Sequence, residues 1–302
     1  MRVLLWCTKF KLTLLLCLSL SVAQADDALC NVPSVRFGFL LESFPYLSRN
    51  EAEVGLKYWV DEIAKSQHTD VTIDYYKDFN QLSEDFRACK INFIAAFPWI
   101  IATKIERSLL SDGLVLIKSG NSTNKILMVV RKDEGVHNLN DLKGKRIGLM
   151  KSDAIAETYL DVLSMNELGK PYNFVFPKLI YESKKSQLLF NLFFNKIDAV
   201  LINQSNYAIA VDLNPQLREK TQIIYQSIEI ANGTGFFNAK TPKDFREWVI
   251  TTIVGLGDSA RDQQLLAIFE ADRFGRISVA DLKGLDALKL QHQSLKNKYT
   301  RK

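Results

Sequence analysis

The side chains that most often carry catalysis or bind metals are few in this chain, and they are scattered. The three histidines, His68, His137 and His292, do not belong to any metal-ligand spacing such as the HExxH motif. The chain also has no Gly-x-Ser-x-Gly sequence that would expose a nucleophilic serine on a sharp turn. We therefore expect no catalytic residues, no metal site and no cofactor.

Two further motifs have simple structural explanations. Gly233-Thr234-Gly235 lacks the third glycine of a dinucleotide-binding loop, so it predicts a tight turn. The carboxylate pairs Asp61-Glu62 and Glu84-Asp85 fall on predicted helix surfaces, where solvated faces account for them. We therefore expect a binding protein rather than an enzyme.

Strand-like and helix-like runs alternate along the first third of the chain. Strands are predicted over residues 35–41, 71–76 and 91–97, with helical segments between them. The order β-α-β-α-β is typical of a parallel sheet that is covered by helices.

The same alternation restarts in the middle of the chain. A helix is predicted over 153–168 because Gly169 stops it. Strands are predicted over 126–130, 146–150, 174–181, 199–202 and 223–230, and the last of these is expected to return to the first unit. The sequence therefore predicts two α/β units joined by two crossings of the chain. Residues 26–120 and 228–302 form one lobe, and residues 121–227 form the other.

The first 25 residues have the three parts of a secretory signal peptide. Three basic residues precede an apolar run over 12–22, and Ala23-Gln24-Ala25 places small residues where a signal peptidase reads them. The run is too short for a spanning helix, which needs about 20 apolar residues. We expect cleavage before Asp26 and export to the periplasm.

The charge of the mature chain is close to balanced. Removal of residues 1–25 deletes three basic residues and no acidic one, so the formal net charge falls from +5 to +2. No long block of one sign remains, and nucleic acid is not an expected partner. The 47% hydrophobic content supports two domains of ordinary size, and we expect a monomer.

Two cysteines, Cys30 and Cys89, remain after processing. Each lies just before a predicted strand, so parallel pairing of these strands would bring both thiols to the same edge of one sheet. An oxidising compartment would then allow a disulfide, and two buried free thiols are the alternative.

Three stretches of the sequence resemble the phosphate/phosphonate-type substrate-binding proteins of ABC importers. They are Val136-His137-Asn138-Leu139-Asn140-Asp141-Leu142-Lys143-Gly144-Lys145-Arg146-Ile147, Asn195-Lys196-Ile197-Asp198-Ala199-Val200 and Asp281-Leu282-Lys283-Gly284-Leu285. The resemblance implies the α/β type II periplasmic-binding fold. In this fold two lobes, each a mostly parallel sheet flanked by helices, are joined by a two-crossing hinge.

The resemblance also implies a function. A solute-binding protein of this kind captures a small ligand between its lobes and delivers it to an ABC-type importer in the membrane. The alternative is a periplasmic sensor whose closed, liganded form docks on a membrane receptor, such as a sensor kinase or a cyclic-nucleotide signalling enzyme. The sequence does not separate the two.

Ligands of open α/β sheets bind beyond the carboxyl ends of the strands. In this chain these positions combine aromatic rings with amide, hydroxyl and carboxylate groups, which suits a small organic molecule with an apolar or cationic part. Core packing is the alternative for each aromatic ring. The predicted ligand-binding residues are Glu42, Phe44, Tyr46, Phe97, Trp99, Ser122, Thr123, Asn124, Ser152, Asp153, Asn203 and Gln204.

The segment that would hold an oxyanion departs from the pattern of phosphonate binders. In those proteins a Ser/Thr-Gly-rich loop places backbone N–H groups at a helix N-terminus. Residues 151–156 contain no glycine, and Asp153 would repel a dianion. Lys151 and Ser152 could still hold an anion if Asp153 turned away as a helix cap. We expect phosphate and simple alkylphosphonates to bind weakly.

Overall fold

The fold is described from a computed structural model, which describes residue 30 and residues 34–43, 49–67 and 69–300. Its strands are β1 (Val35–Leu40), β2 (Val71–Tyr76), β3 (Phe93–Ala96), β4 (Leu110–Ile117), β5 (Thr123–Asn124), β6 (Ile126–Arg131), β7 (Arg146–Met150), β8 (Lys178–Glu182), β9 (Ala199–Asn203), β10 (Thr221–Gln226), β11 (Ile230–Ala231), β12 (Thr234–Asn238) and β13 (Arg273–Ile277). Its helices are α1 (Arg49–Gln67), α2 (Phe79–Arg87), α3 (Pro98–Lys104), α4 (Ala154–Leu168), α5 (Tyr172–Val175), α6 (Lys185–Phe193), α7 (Gln204–Leu213), α8 (Gln216–Lys220), α9 (Lys243–Val254), α10 (Ala260–Ile268) and α11 (Lys283–Thr300). None of these helices is long and apolar enough to cross a bilayer. The predicted signal peptide lies outside the described residues.

The chain divides into two compact units. Unit 1 consists of the described residues up to Phe97, with Lys104–Leu116 and Gly233–Val279. Unit 2 consists of Pro98–Thr103, Ile117–Asn232 and the described residues from Ala280 onward. The lobe limits predicted from the sequence stay a prediction. The structure groups the segment after Ala280 with unit 2, whereas the sequence pattern assigned it to the first lobe.

Unit 1 is built on a six-stranded sheet with the order β13-β4-β12-β3-β1-β2. β1 pairs in parallel with both β2 and β3, as the alternation of strands and helices predicts. β12 pairs antiparallel with β3 and with β4. The sheet is therefore mixed rather than mostly parallel, because the strand that enters the unit late in the sequence runs against its neighbours.

Unit 2 contains a five-stranded sheet with the order β10-β6-β9-β7-β8. β7 pairs in parallel with β8 and β9, whereas β6 is antiparallel to β9 and to β10. This sheet is also mixed. The prediction that the strand over 223–230 returns to unit 1 is wrong. β10 is an edge strand of the unit 2 sheet, and the strand that enters the unit 1 sheet is β12.

The Gly233-Thr234-Gly235 motif does not form the predicted tight turn, since Thr234 begins β12. Gly235 lies in this strand, and a Cβ atom there would approach the Phe93 ring to 2.4 Å and the Ile94 carbonyl oxygen to 2.8 Å. The second glycine is therefore required by close packing between β12 and β3. A glycine pattern alone does not distinguish such packing from a turn.

Cys30 and Cys89 form a disulfide in unit 1, with their Cα atoms 5.2 Å apart, within the usual range for this bond. The two cysteines precede β1 and β3, which are parallel neighbours. The bridge therefore joins two adjacent strands at their amino ends. It closes a loop that contains β1, α1, β2 and α2.

Helix α11 packs on α4, which explains why the C-terminal segment belongs to unit 2. His292 Nε2 and Asp161 Oδ2 lie 2.7 Å apart between these helices, and the Tyr299 hydroxyl donates to the Met165 carbonyl at 2.9 Å. Burial disfavours the charged Asp161 carboxylate. The hydrogen bonds from His292 and from the Tyr172 N–H outweigh burial and hold the pKa of Asp161 below its usual range.

Replacement of Asp161 should make the acid sensitivity of the protein smaller. Asp161→Asn should lower the free energy of unfolding by about 2 kcal/mol near neutral pH, because a charge-assisted hydrogen bond is lost. The pKa of Asp161 in the folded protein lies below its value of about 3.9 in the unfolded chain. The stabilisation by the Asp161 carboxylate is therefore complete above about pH 3.9, and it disappears as the pH falls through the pKa of the folded protein. The two proteins should therefore converge in stability as the pH falls from about 5 toward 2.

Urea unfolding at several pH values measures this difference. Asp212→Asn, at a carboxylate whose side chain is 75% exposed, serves as the control and should match the wild type. A difference between Asp161→Asn and wild type that stays constant down to the lowest pH would contradict the prediction.

Candidate functional site

Five of the predicted ligand-binding residues lie at one edge of the unit 2 sheet. β7 and β9 are parallel, so Ser152 and Asp153 after β7 lie at the same edge as Asn203 and Gln204 at the end of β9. Asn124 precedes β6, whose first residue pairs with Asn203. We call this the carboxyl edge of unit 2. It is where ligands of α/β sheets bind.

Asp153 occupies the N-terminus of α4. Its Oδ1 atom accepts a hydrogen bond from the Ala156 N–H at 3.0 Å, as a helix-capping carboxylate does. Burial of the carboxyl group raises the pKa of Asp153. The hydrogen bond from the Ala156 N–H acts in the opposite direction and lowers this pKa. The carboxyl oxygens of Asp153 therefore lie at the N-terminus of α4.

Ser152 precedes this cap in the left-handed backbone region, with a φ of 61°. Its side chain is exposed, so the hydroxyl is available at the edge. A left-handed conformation is unusual for a residue with a Cβ atom and more often belongs to glycine.

The N-terminus of α7 is also capped, by residues from the start of β6. The Gln204 N–H donates to the Lys125 carbonyl at 2.8 Å, and the Ser205 N–H donates to Asn124 Oδ1 at 3.2 Å. Asn124 Nδ2 in turn donates to Ser205 Oγ at 2.6 Å. The Asn203 side chain makes no capping hydrogen bond. The first two N–H groups of α7 are therefore already paired with oxygen atoms of the chain.

Ser122 and Thr123 belong to a small ladder between β5 and β11. Thr123 pairs with Ala231, and the Ser122 carbonyl accepts from the Asn232 N–H at 3.0 Å. The Thr123 hydroxyl lies 3.3 Å from Glu229 Oε2. These two residues contribute backbone pairing to unit 2, and the exposed Ser122 side chain remains accessible.

In unit 1 the ends of β1 and β3 are held together by a serine that the sequence reasoning missed. Ser43 is fully buried, and its Oγ atom accepts from the Phe97 N–H at 2.9 Å. Glu42 lies in the same short 3-10 turn, but its side chain is not described. Phe44 and Tyr46 lie outside the described residues. A single serine after a strand has no pattern that reveals a contact 54 residues away.

Trp99 lies in the first turn of α3, within the part of that helix that groups with unit 2. Its carbonyl accepts from the Thr103 hydroxyl at 2.6 Å, and the residue is half-buried, as is Phe97. Half-buried aromatic residues have a ring face that can contact a ligand. Neither residue is part of a fully buried core.

Unit 1 also encloses an apolar cavity of about 100 Å³ between one face of its sheet and helices α1, α9 and α10. Its lining includes Phe39, Ile73, Ala95, Leu116 and Phe269, and none of the predicted ligand-binding residues that the structure describes belongs to it. The candidate site and this cavity are therefore separate features.

Acidic groups near the carboxyl edge of unit 2 are tied into local hydrogen bonds. Glu182 accepts from Asn191 Nδ2 at 2.8 Å. Burial and a hydrogen bond to Glu157 raise the pKa of Tyr181 to about 12.

Within residues 30, 34–43, 49–67 and 69–300, no group of three His, Cys, Asp or Glu side chains could hold a metal ion.

A family model described as "ABC transporter, phosphonate, periplasmic substrate-binding protein" matches residues 43–282. The chain belongs to this family. The resemblance inferred from the sequence is thereby confirmed, and the family consists of binding proteins rather than enzymes. Membership makes the chain a periplasmic substrate-binding protein of the phosphonate-transporter type. No protein of curated function matches the sequence.

Solved structures of similar fold come from several bacteria. The binding component of an ABC phosphonate transporter from Pseudomonas aeruginosa is 14% identical, with a TM-score of 0.59 over 88% of this chain and 89% of that one. A Xanthomonas citri protein bound to ATP is 14% identical, with a TM-score of 0.61 over 87% and 98%. PhnD1 from Prochlorococcus marinus, in complex with methylphosphonate, is 13% identical, with a TM-score of 0.57 over 88% and 99%. At this identity the likeness shows the fold alone, which confirms the α/β type II periplasmic-binding class for this family member.

The charge of Asp153 should set the preference of the carboxyl edge for cations over anions. Asp153→Asn keeps an oxygen that can cap α4 and removes the negative charge. At a pH above the raised pKa of Asp153, the affinity for methylphosphonate should rise at least about tenfold, since a unit charge a few ångströms away contributes several kcal/mol at an effective dielectric constant near 20.

Titration calorimetry of both proteins tests this effect. Glu219→Gln, an exposed carboxylate that precedes β10 at the opposite edge of the sheet, is the matched control and should leave the affinity unchanged. An equal affinity of Asp153→Asn and wild type for methylphosphonate would show that Asp153 does not govern the site.

Proposed function

We propose that this protein captures a small organic ligand in the periplasm and delivers it to an ABC importer. Family membership supports the transport role, and the polar residues collected at the carboxyl edge of unit 2 support a ligand site there. The sequence carries no constellation for catalysis, so binding and release are the chemistry required.

We propose further that the ligand presents an apolar or cationic group rather than a phosphonate dianion. One observation carries this proposal: the N-termini of α4 and α7 at the carboxyl edge are capped by the chain's own Asp153 and Asn124. Backbone N–H groups that are already paired are poor donors to an added oxyanion. When ionised, the carboxyl group of Asp153 also repels a dianion and attracts a cation there, and burial raises the pKa above which it is ionised.

The groups that remain available suit such a ligand. The Asn203 amide and the Ser152 hydroxyl can each donate and accept hydrogen bonds. The half-buried rings of Phe97 and Trp99, with Phe44 as a further proposed contact, offer faces to a cationic or apolar group. Glu42, Tyr46, Ser122, Thr123 and Gln204 complete the proposed ligand-binding set.

Calorimetric titration with phosphate, methylphosphonate, amines and amino acids tests the ligand class. Binding of an amine or amino acid, with phosphate and methylphosphonate far weaker, is the expected result. Trp99→Ala should weaken that binding by roughly 1–3 kcal/mol through lost aromatic contact. Trp99→Phe should recover most of the loss, and Phe194→Ala, at an exposed ring on the opposite edge of unit 2, should have no effect. Submicromolar binding of phosphate or methylphosphonate to the wild type would overturn the proposal.

Delivery to an importer is tested in the source cells. The bound ligand is first identified by native mass spectrometry of protein purified without denaturation. Cells that lack this protein should then take up the isotope-labelled ligand much more slowly than cells that contain it. Restoration by the wild-type chain and not by Trp99→Ala would support transport. Unchanged uptake, with a change in gene expression or in signalling nucleotides instead, would favour a sensor and contradict delivery.

A further inference from the structure

The edge of the unit 2 sheet opposite the candidate site has an unusual surface. β7, β8 and β9 begin at this edge, since Arg146 pairs with Lys178 and Ile147 with Ala199. β6 ends there and β10 begins there, since Arg131 pairs with Thr221. We call it the amino edge of unit 2. Helices α6 and α7 also end at this edge, because each leads toward a strand that starts there.

The last turns of these two helices expose large apolar side chains. Phe194, just after α6, is 65% exposed, and Phe190 one turn earlier is 46% exposed. Their ring centroids lie 6.5 Å apart, and the Phe193 ring lies 5.2 Å from that of Phe194. Leu213 at the end of α7 is 82% exposed. Single exposed apolar residues are common, but a group of adjoining ones marks a surface that binds something.

Basic residues are also numerous at the amino edge. Within three residues of the five strand ends at the amino edge, nine basic side chains stand against four acidic ones. The excess of five is larger than the net charge of +2 expected for the mature chain. The basic residues are Arg131, Lys132, Lys143, Lys145, Arg146, Lys178, Lys196, Arg218 and Lys220, and the acidic ones are Asp133, Glu134, Asp198 and Glu219.

Some of these basic groups have structural partners and others face solvent. Arg146 forms an ion pair with Asp198 at 2.8 Å and Arg131 forms one with Asp133 at 2.9 Å, whereas Lys132 donates to the Arg218 carbonyl at 3.0 Å. Lys220 Nζ lies 4.6 Å above the Phe193 ring, so charge and aromatic surface are in direct contact. Lys143, Lys145, Lys178 and Lys196 are exposed. The surface therefore combines solvent-facing ammonium groups with exposed aromatic rings.

Three occupants could cover such a surface, and the observations favour one. A second copy of the chain would place one basic edge against another, which like charges oppose. A permease that receives the ligand must reach the carboxyl edge, about 15 Å away along the five-residue strands. An anionic bilayer complements the charge, and aromatic rings enter its headgroup region readily.

We propose that the amino edge of unit 2 binds the anionic phospholipid surface of a membrane through Phe190, Phe193 and Phe194, with the surrounding lysines contacting the headgroups. The bound protein is peripheral, because the rings enter only the interfacial region. The carboxyl edge of unit 2, with its candidate ligand residues, faces away from the bilayer in this arrangement. The proposal does not depend on the identity of the ligand.

Sedimentation of the mature protein with large unilamellar vesicles tests the proposal. The protein should sediment with vesicles of phosphatidylethanolamine and phosphatidylglycerol at low salt, and not with vesicles of phosphatidylcholine. The double variant Phe190→Ser/Phe194→Ser should reduce the partition coefficient about tenfold. Lys196→Gln/Lys220→Gln should reduce it severalfold and weaken its dependence on salt.

Leu290→Ser is the matched control, since Leu290 on α11 is 64% exposed, close to the value for Phe194. It should sediment like the wild type, and circular dichroism should show that all variants are folded. Absence of wild-type binding to phosphatidylglycerol vesicles at low salt would overturn the proposal, as would equal binding by the double phenylalanine variant. A dimer that this double variant abolishes, without vesicle binding, would assign the surface to a second copy and also overturn it.

Discussion

Parallel pairing between neighbouring strands is the constraint on which the rest of this structure depends. Where β7 lies parallel to β8 and β9, every strand of the group ends at one edge and begins at the other. The helices that follow these strands then start at the first edge and end at the second. Helix N-termini and polar side chains collect at one edge of unit 2, and helix C-termini with their exposed apolar residues collect at the other. Two surfaces of opposite character arise from one pairing rule.

The carboxyl edge shows how small changes redirect a shared architecture. A helix N-terminus attracts negative charge whatever its source, because its first N–H groups are unpaired and the helix dipole is positive there. In this chain a carboxylate from Asp153 and an amide from Asn124 supply the oxygen atoms. The fold is retained, while the electrostatic preference at the helix ends is set by two side chains. The residues that carry the family resemblance and the residues that cap α4 and α7 are thus at different positions of the sequence.

Much of the fold could be predicted from the sequence because local periodicity carries it. The strands over 35–40 and 199–203 are apolar runs, and Gly169 ends α4 in a left-handed conformation, as its position after a periodic segment indicates. The strand over 221–226 was placed in the wrong sheet, since its pairing with β6 depends on a partner about 90 residues away and leaves no local trace.

The candidate site was predictable only in part. The rule for carboxyl ends located Asp153 and Asn203 at one edge, because it depends only on strand direction. The capping of α7 by Asn124 joins residues 81 positions apart, and the buried hydroxyl of Ser43 is paired across 54 positions. Hydrogen bonds of this kind are fixed by tertiary packing, so neither propensity nor spacing reveals them.

The position of β12 has a consequence for how the protein matures. In the unit 1 sheet β12 separates β3 from β4, and Thr234 pairs with Ala96, 138 residues earlier in the chain. β1, β2 and β3 lie close together in the sequence and can pair early in folding, but their sheet lacks the neighbour β12 until residues 234–238 join it. Such distant pairing delays folding, because a long loop must close before the contact forms. The order of strands therefore keeps the unit 1 sheet incomplete until residues 234–238 join it.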